Sequence, residues 1–523
     1  MTKYLIGRIL RALISVVLVI AVIMVMIYTF LDREAIFSAD PSYQKFLQND
    51  KEVYKMQQWE KYGYLDYVSF ADYLQSEVKA GRLTSEQASA ARLAITADQD
   101  SAETKALVEA FTEKYRAEGY DVERIPGAYK IGTKKFKEGG SPVLYAAKDI
   151  PLISRLITYF TGLIKVDNIH NVENIEGERG LTFTWYDPAY GGEKFSPAIM
   201  GNGTNYKYLL YCDDTFPFIH QNLVRINLGV SYSVNREKDV FNTMTDAQGP
   251  QKYSTITYPS GVVEYTADDI HSLQYVPDSV DKGVLNQKYY VDDYTGVSTA
   301  KSGLSQMGYS FSIGIISVIL AYLVAVPLGV MMALNKDKLI DKIGTIYIIF
   351  IMAVPSLGYI FIFRAIGSSF KLPTTFDLQN PTVLMYVLPV ISLALPSIAN
   401  LMKWLRRYMI DQMNSDYVKF ARSGGLSEGE IFRKHILKNA IIPIVHGIPG
   451  SVLGALTGAI ITERVYLVPG IGNVLTTAIN KYDNGVIVGV ALFYALLSVT
   501  SFILGDVLMS ILDPRISFSS KTR

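Results

Sequence analysis

The sequence predicts an all-α polytopic membrane protein with six transmembrane helices and a large α+β extracellular insertion between the first and second helices. Lys and Arg concentrate on alternate short loops, which is typical of a multi-pass topology. A polar stretch of domain size separates the first apolar run from the second. The runs long enough to span a bilayer cover residues 9–30, 309–334, 343–367, 382–402, 441–462 and 485–512.

The composition excludes several classes of protein. The 523 residues carry 50 Lys and Arg against 49 Asp and Glu, a net charge of +1, so neither a disordered chain nor a nucleic-acid binder is expected. The single cysteine, Cys212, excludes an internal disulfide framework and a cysteine-cluster metal site. Five dispersed histidines give no metal-ligand spacing, and we expect no metal site.

The first apolar run predicts an uncleaved N-terminal transmembrane helix within residues 1–30. Lys3, Arg8 and Arg11 precede or enter it, so a cleavable signal peptide is the alternative. The apolar stretch is longer than the ~7–15 residues of a signal-peptide core, which favours the anchor.

Residues 31–308 form the predicted insertion. Its first part, residues 42–117, has helical spacing, and residues 84–87 offer a helix cap. From residue 143 to 297, Tyr, Thr, Val and Gly dominate, and runs such as 181–186 and 253–258 predict strands. The insertion carries a net charge of −9 and the remainder of the chain +10. The many tyrosines indicate half-buried packing more than a ligand surface.

The charge of the short loops orients the chain. Basic residues cluster at the N-terminus, at 336–342, at 403–438 and at the C-terminus. These four segments lie on one side if both termini are cytoplasmic. The prediction is a multi-pass plasma-membrane protein with residues 31–308 outside.

The segment 403–440 is an unusually long polar loop with a helix–turn–helix pattern. Ser415 and Asp416 can cap a first helix, and Gly424 or Gly425 supplies a left-handed residue to end it. Ser427 with Glu430 forms a capping box for a second helix. A solvated connector is the alternative to a functional cytoplasmic helix.

This loop resembles that of the dipeptide/oligopeptide permease family, the membrane subunits of binding-protein-dependent ABC importers. The matching residues are Asp416-Tyr417-Val418, Ala421-Arg422, Gly425-Leu426-Ser427, His435, Asn439-Ala440, Pro443, Glu463, Pro469-Gly470-Ile471-Gly472 and Asp513-Pro514-Arg515. Of the Glu-Ala-Ala of the general ABC-permease loop only the second Ala, Ala421, is kept. That departure and His435 resemble the peptide-transporting branch.

The resemblance implies a type I ABC importer permease core at 309–523, in which the loop carries a coupling helix that docks on a partner ATPase. The coupling residues would be Asp416, Tyr417, Phe420, Ala421, Arg422, Gly424, Gly425 and Leu426. Tyr417 and Phe420 offer apolar anchors, and Arg422 can pair with carboxylates of the partner. His435 is expected to pack and to form hydrogen bonds rather than to relay protons.

The resemblance also implies partners: a second homologous permease, two ATP-binding subunits, an extracellular substrate-binding protein, a peptide substrate and membrane lipid. The chain contains no Gly-x-x-x-x-Gly-Lys-Ser/Thr loop, so ATP and Mg would be bound by the partner subunits, and no enzyme activity or cofactor is assigned to this chain. The insertion is longer than the family's outer loop, parts of which are retained at 58–74 and 228–232. We expect it to dock the binding protein or to shield the entrance.

Three further groups are candidates. Gly450, Gly454 and Gly458 share one helix face and indicate either a translocation path at the interface with a second permease or static packing within this subunit. Asp506 is an intramembrane carboxylate that is expected to serve subunit or helix contacts. Glu463 and the 469–475 segment form an outer gate or a structural turn.

The sequence is compatible with two alternative functions. The same permease type could carry nickel or a sugar. A membrane-anchored extracellular sensor would explain the insertion but not the six spans or the long loop.

Overall fold

The computed structural model describes residues 2–46, 48–97, 101–125, 130–131, 135–136, 143–213 and 218–512. The helices are α1 (Thr2–Phe30), α2 (Gln48–Lys61), α3 (Phe70–Lys79), α4 (Ser85–Ala97), α5 (Ala102–Ala117), α6 (Leu152–Thr161), α7 (Val240–Thr245), α8 (Ser279–Lys282), α9 (Val284–Tyr289), α10 (Gln306–Leu334), α11 (Leu339–Ala353), α12 (Ser356–Ser369), α13 (Val387–Met413), α14 (Asp416–Ser423), α15 (Glu428–Ile431), α16 (Lys438–His446), α17 (Ile448–Tyr466), α18 (Ile471–Asn480) and α19 (Asn484–Leu512).

The strands all fall between α2 and α10. They are β1 (Leu65–Ser69), β2 (Asp121–Ile125), β3 (Lys130–Ile131), β4 (Lys135–Phe136), β5 (Val143–Asp149), β6 (Ile164–Val166), β7 (Gly180–Tyr186), β8 (Phe195–Asn202), β9 (Tyr208–Cys212), β10 (Ile219–Gln221), β11 (Val224–Ile226), β12 (Ser254–Thr257), β13 (Val263–Thr266), β14 (Asp268–Tyr275) and β15 (Tyr294–Thr299). The predicted strands at 181–186 and 253–258 correspond to β7 and β12.

Four helices in the described part of the chain are long and apolar enough to cross a membrane: α1, α10, α13 and α19. Two bent pairs, α11–α12 and the segment 428–446 with α17, meet the same test only when each pair is taken together. Within the described residues there are therefore four candidate spans, or up to six if each bent pair is one span.

The span predicted at 343–367 is divided in the structure. The chain breaks after Ala353, and α11 and α12 meet at 111°. Val354 adopts an extended backbone because the ring of Pro355 disfavours the helical conformation in the preceding residue. Pro355 then stands at the N-cap of α12. The pair is either a broken span or a re-entrant loop.

The predicted span at 441–462 is also divided. A π-helical segment, Phe432–Leu437, leads into α16, and α17 follows at a bend of 44°. Gly447 links the two helices, and Pro449 lies in the first turn of α17, where its missing N–H costs no hydrogen bond.

The transmembrane core packs α10 against α13 and α17. Small residues permit close contact, since a Cβ atom on Gly329 would lie 3.2 Å from Leu405, and one on Gly314 would lie 3.0 Å from Leu456. A second buried cluster joins α1 to α18 and α19 through Ile20, Met24, Val474 and Val486. The first helix therefore packs on the last one.

The insertion has two parts: helices predominate at 42–117, with strand β1 among them, and strands predominate at 143–297, with helices α6 to α9 among them. In the helical part, α3, α4 and α5 pack on the antiparallel sheet β1-β5-β2 around Phe111 and Leu144. Thr84 caps α4, accepting a hydrogen bond from the Gln87 N–H at 3.2 Å. In the second part, the sheet β10-β9-β8-β7 packs one face on a core that contains Leu273 and Tyr294.

The insertion is joined to the transmembrane core by the buried carboxylate of Asp483, in the loop between α18 and α19. Asp483 accepts hydrogen bonds from the Ser231 hydroxyl at 2.7 Å and from the backbone N–H groups of Tyr232, Ser233 and Val234, each at 2.9 Å. These contacts fix residues 231–234 on the N-terminal end of α19.

The two segments expected to be retained from a shorter outer loop, 58–74 and 228–232, contact each other at this junction. The rings of Tyr62 and Tyr232 stack with centroids 4.0 Å apart. Tyr64 accepts a hydrogen bond from the Asn484 side chain at 2.9 Å. Residues 75–227 lie between these two segments in sequence, and residues 233–308 follow the second.

Candidate functional site

The 403–440 loop contains a short helix, α14, whose start differs from the prediction. Ser415 has the extended backbone of an N-cap, but its hydroxyl donates to the carbonyl of Gln412 at 2.6 Å and does not cap α14. Asp416 is almost fully exposed and pairs with Lys419 at 2.9 Å. Its carboxylate also lies in the first turn, where the helix dipole favours negative charge.

The end of α14 and the start of α15 confirm the predicted turn. Gly424 ends the helix and donates its N–H to the Phe420 carbonyl at 2.9 Å. Gly425 adopts the left-handed conformation at φ +81°. Leu426 continues the turn, donating its N–H to the carbonyl of Ala421 at 3.3 Å. Ser427 and Glu430 form the predicted capping box.

The two faces of α14 differ in burial. Val418 and Ala421 are buried in the core cluster that includes Ile431 and Ile436. Phe420, on the other face, is 80% exposed. Because Ala421 and Val418 are small, α14 lies close to the core, and the Phe420 ring points away from it. The helix thus presents an apolar residue on the surface of the chain.

Tyr417 is held inside the loop. Its hydroxyl accepts a hydrogen bond from the Asn439 side chain at 3.0 Å and lies 3.2 Å from the His435 carbonyl. It also bonds to Gln412. The ring of His435 lies 6.2 Å from that of Tyr417, measured between centroids. Tyr417 therefore ties α14 to the start of α16, the helix that also contains Pro443.

Arg422 and Glu428 form an exposed two-point ion pair, with Nε–Oε1 at 2.5 Å and Nη2–Oε2 at 3.0 Å. The Arg422 guanidinium holds the pKa of Glu428 below its usual range. The pair bridges α14 and α15 across the Gly424-Gly425 turn. Both side chains remain about half or more exposed to solvent and accessible to a partner.

A second ion pair, between α11 and α13, corresponds to no motif in the sequence. The buried carboxylate of Asp341, in α11, receives the guanidinium of Arg406, in α13, at 2.5 and 2.7 Å. Its other contact is the backbone N–H of Asp337 at 2.9 Å. In the sequence, Asp341 is distinguished only as a carboxylate within the lysine-rich segment 336–342. This pair fixes the α10–α11 turn to the helix that enters the 403–440 loop.

Glu463 lies at the opposite end of the core and is buried. Its carboxylate accepts hydrogen bonds from the Ser310 hydroxyl at 2.6 Å and from the Asn473 N–H at 3.1 Å. The same Ser310 hydroxyl accepts the Ile471 N–H at 2.9 Å. Pro469 and Gly470 thus lead α18 into a position where its first N–H groups surround the Glu463 carboxylate.

Glycine is required at positions 470 and 472 because atoms of α17 lie very close to the backbone there. A Cβ atom on Gly470 would lie 2.3 Å from the carboxyl carbon of Glu463, and one on Gly472 would lie 2.6 Å from the Cα of Ile460. Neither contact is sterically possible without movement of α17 or α18.

We therefore expect Gly470→Ala to destabilise the protein by about 2–3 kcal/mol, because it overpacks the site and breaks hydrogen bonds to a buried carboxylate. The measurement is thermal unfolding of the detergent-purified protein. Gly429→Ala is the matched control, since its added Cβ meets open space, and it should leave the midpoint unchanged or raise it slightly. Equal midpoints for the two variants would contradict the packing argument.

Gly450, Gly454 and Gly458 lie on an exposed face of α17. A Cβ atom would meet nothing within 4 Å at Gly450 or Gly454, and at Gly458 only Leu393, at 3.8 Å. Static packing within this chain therefore does not account for the glycines. Their face is free for a group outside the chain.

Asp506, in α19, forms an ion pair with Arg8, in α1. At the preceding residue, the His446 ring Nδ1 lies 2.8 Å from the Gly505 carbonyl. Asp506 thus serves contacts between helices of this chain. Asp513, Pro514 and Arg515 lie outside the described residues. Among the residues that the structure describes, no group of three or more His, Cys, Asp or Glu side chains could hold a metal ion.

Comparison with known proteins adds three findings. Residues 325–518 match the family model of the binding-protein-dependent transport system inner membrane component. The oligopeptide transport system permease protein AmiC of Streptococcus pneumoniae is 35% identical over 528 residues, which cover 100% of this chain and 99% of the relative. The dipeptide permease protein DppB of Bacillus subtilis is 28% identical over 40% of this chain and 68% of its own length.

Solved structures give a weaker similarity. The inward-facing MetNI methionine ABC transporter has a TM-score of 0.33 and 11% identity over 39% of this chain and 93% of its own. Among the relatives, the match to AmiC extends over the full length, including residues 31–308.

Proposed function

The chain belongs to the oligopeptide permease family of binding-protein-dependent ABC importers, and we propose that it moves peptides across the membrane by receiving the motion of a partner ATPase at α14. Peptide uptake is the function of the family. The coupling role of α14 is supported by one observation above all: a short helix buried on one face presents Phe420 to solvent on the other. Such a residue suits the apolar pocket of a partner.

The contacts of α14 provide a path for transmission. Val418 and Ala421 fix the helix to the core, and Tyr417 ties it to Asn439 at the start of α16. A push on α14 therefore reaches α16 and, through Gly447, α17. The 44° bend between those helices and the π-helical segment before α16 are places where a change of angle costs little regular hydrogen bonding.

The exposed glycine face of α17 is proposed to meet the second permease subunit and to line the path of the peptide. Gly450 and Gly454 leave backbone accessible because no side chain covers it. A peptide is itself a backbone with many hydrogen-bonding groups, so a surface of small residues admits it without selecting for a particular side chain. The preference for particular peptides is then left largely to the extracellular binding protein.

The partner subunits supply the energy for transport, and the basic loops give the orientation in the membrane. Two partner subunits bind ATP and Mg and hydrolyse the nucleotide, since this chain has no phosphate-binding loop. Both termini and α14 are cytoplasmic, in agreement with the basic loops, and residues 31–308 are outside the bacterial plasma membrane. There they dock the substrate-binding protein. The Asp483 junction would carry that contact to α18 and α19.

Arg422 offers a test of docking that separates it from loop stability. We expect Arg422→Glu to lower ATP-driven peptide uptake in proteoliposomes by about tenfold, or ~1.4 kcal/mol, because Arg422 pairs with a carboxylate of the ATPase. The double variant Arg422→Glu/Glu428→Arg restores the internal ion pair with its charges exchanged. We expect its uptake to stay low. Full recovery in the double variant would show that Arg422 only stabilises the loop.

A further inference from the structure

Six branched aliphatic side chains form an exposed surface on α6 and on the antiparallel strand pair β6–β11 beside it. Ile153 is 72% exposed and Ile164 is 66% exposed. The full set, named here the α6–β6–β11 surface, is Ile153, Ile157, Ile164, Val166, Val224 and Ile226. The helix and the strand pair are locked together, because Asn227 donates its backbone N–H to Leu163 at 2.8 Å and its side chain to Gly162 at 3.1 Å.

The aliphatic side chains of the strand pair share one exposed face. Ile164 pairs with Ile226, and Val166 pairs with Val224, so all four lie on the same side of the two strands. The charged pair, Arg225 and Lys165, lies on the opposite face. There the Arg225 guanidinium is 4.5 Å from the centroid of the Tyr206 ring and 3.2 Å from the Tyr206 hydroxyl, and Lys165, which is exposed, lines the cavity that also contains Met24 and Tyr28. An apolar medium against the aliphatic face accounts for this arrangement.

The surface is continuous with the first transmembrane helix. Leu156, Tyr159 and Phe160 of α6 pack on the cluster that contains Met24 of α1. Thr158 and Tyr159 line the same cavity as Met24 and Tyr28. Met24 precedes the end of α1 at Phe30 by six residues, about 9 Å of helix. The α6 helix therefore packs beside the span, below its outer end.

The single charged side chain of α6 is withdrawn from its exposed face. The Arg155 guanidinium lies between two aromatic rings, 3.7 Å from the centroid of Tyr28 and 4.0 Å from that of Tyr64. The outward positions of α6 carry Ile153, Ile157 and small hydroxyl residues. Tyrosines with a bound cation at the end of a span are typical of a membrane–water boundary.

We propose that the α6–β6–β11 surface is immersed in the outer leaflet of the bilayer, with acyl chains against its six aliphatic side chains. The insertion is then anchored to the membrane at a third place, in addition to α1 and α10. This would hold residues 31–308 in one orientation over the transmembrane core, since α6 acts as an interfacial helix. The inference requires α1 to span the membrane with its C-terminal end outward, and it is independent of the coupling role of α14.

Site-directed fluorescence tests this placement. In a Cys212→Ser background, single variants Ile157→Cys and Ile164→Cys are labelled with bimane in the assembled transporter in proteoliposomes. Leu93→Cys is the matched control, since Leu93 is 69% exposed on α4, which packs on α3 and α5. Each labelled transporter is checked for ATP-driven peptide uptake, which reports assembly separately from lipid contact.

We expect brominated phospholipids to quench the labels at 157 and 164 at least threefold more than the label at 93, and aqueous iodide to show the reverse order. Equal iodide quenching at all three positions would overturn the proposal by placing the surface in water. Protection of 157 and 164 from both quenchers would also overturn it, because a protein partner would then cover the surface.

Discussion

Phe420→Asp is expected to reduce ATP-driven peptide uptake by thirtyfold or more and to abolish copurification of the ATPase subunits. Phe420 is the most exposed apolar residue of α14 and is the proposed anchor. A carboxylate at this position removes the anchor and places an unpaired charge in the partner's pocket. Loss of a central aromatic anchor costs about 2–4 kcal/mol of binding free energy, and 2 kcal/mol corresponds to about thirtyfold. Uptake and pull-down are both measured with the complete transporter.

The matched control is Phe370→Asp. Phe370 is 76% exposed, close to the value for Phe420, and follows α12 on the side predicted to be outside. It should leave ATPase association unchanged. Thermal unfolding of the purified Phe420→Asp subunit should also match that of the parent, because the ring makes little contact within the chain. Normal ATPase association by Phe420→Asp would refute the docking face proposed for α14.

The second large effect is expected at the junction between the insertion and the core. Asp483→Ala removes the acceptor for the Ser231 hydroxyl and for the backbone N–H groups of Tyr232, Ser233 and Val234. Each buried donor left without a partner costs ~1–3 kcal/mol, so a loss of about 3 kcal/mol or more is expected. The measurement is hydrogen–deuterium exchange of the 228–234 segment together with thermal unfolding.

Two other variants make this result specific. Asp281→Ala removes an exposed carboxylate from the same insertion and should leave exchange at 228–234 unchanged. Asp483→Asn keeps one side-chain oxygen as an acceptor and should lie between the parent and Asp483→Ala. If exchange at 228–234 is as slow in Asp483→Ala as in the parent, Asp483 is not what holds the insertion to the core.

Local features of this fold could be predicted from the sequence where the cause lies within a few residues. The apolar runs predicted the four long apolar helices of the described residues, and the residues Gly425, Ser427 and Glu430 predicted the turn between α14 and α15. Ser415 shows the limit of such rules, since its hydroxyl has a competing acceptor at Gln412 within the preceding helix. A proline such as Pro355 indicates an interruption of its helix, but that residue alone does not determine a bend as large as the 111° between α11 and α12.

Contacts between distant residues could not be predicted in this way. Asp483 bonds to residues some 250 positions earlier in the chain, and Arg8 pairs with Asp506 at the other end. Charge alone does not identify the partner of Asp341, since several basic residues lie nearer in sequence than Arg406. The glycine face of α17 was identified by its period of four, but its openness became evident only with the neighbouring helices in place.

The most direct test of the central claim is uptake of a labelled oligopeptide by proteoliposomes that contain the complete transporter with this chain as one permease subunit. ATP should drive accumulation of the peptide, unlabelled peptides should compete, and nickel and sugars should not. Competition by nickel or a sugar in place of peptides, or peptide accumulation that persists when this chain is left out, would contradict the assignment of this chain as a peptide permease.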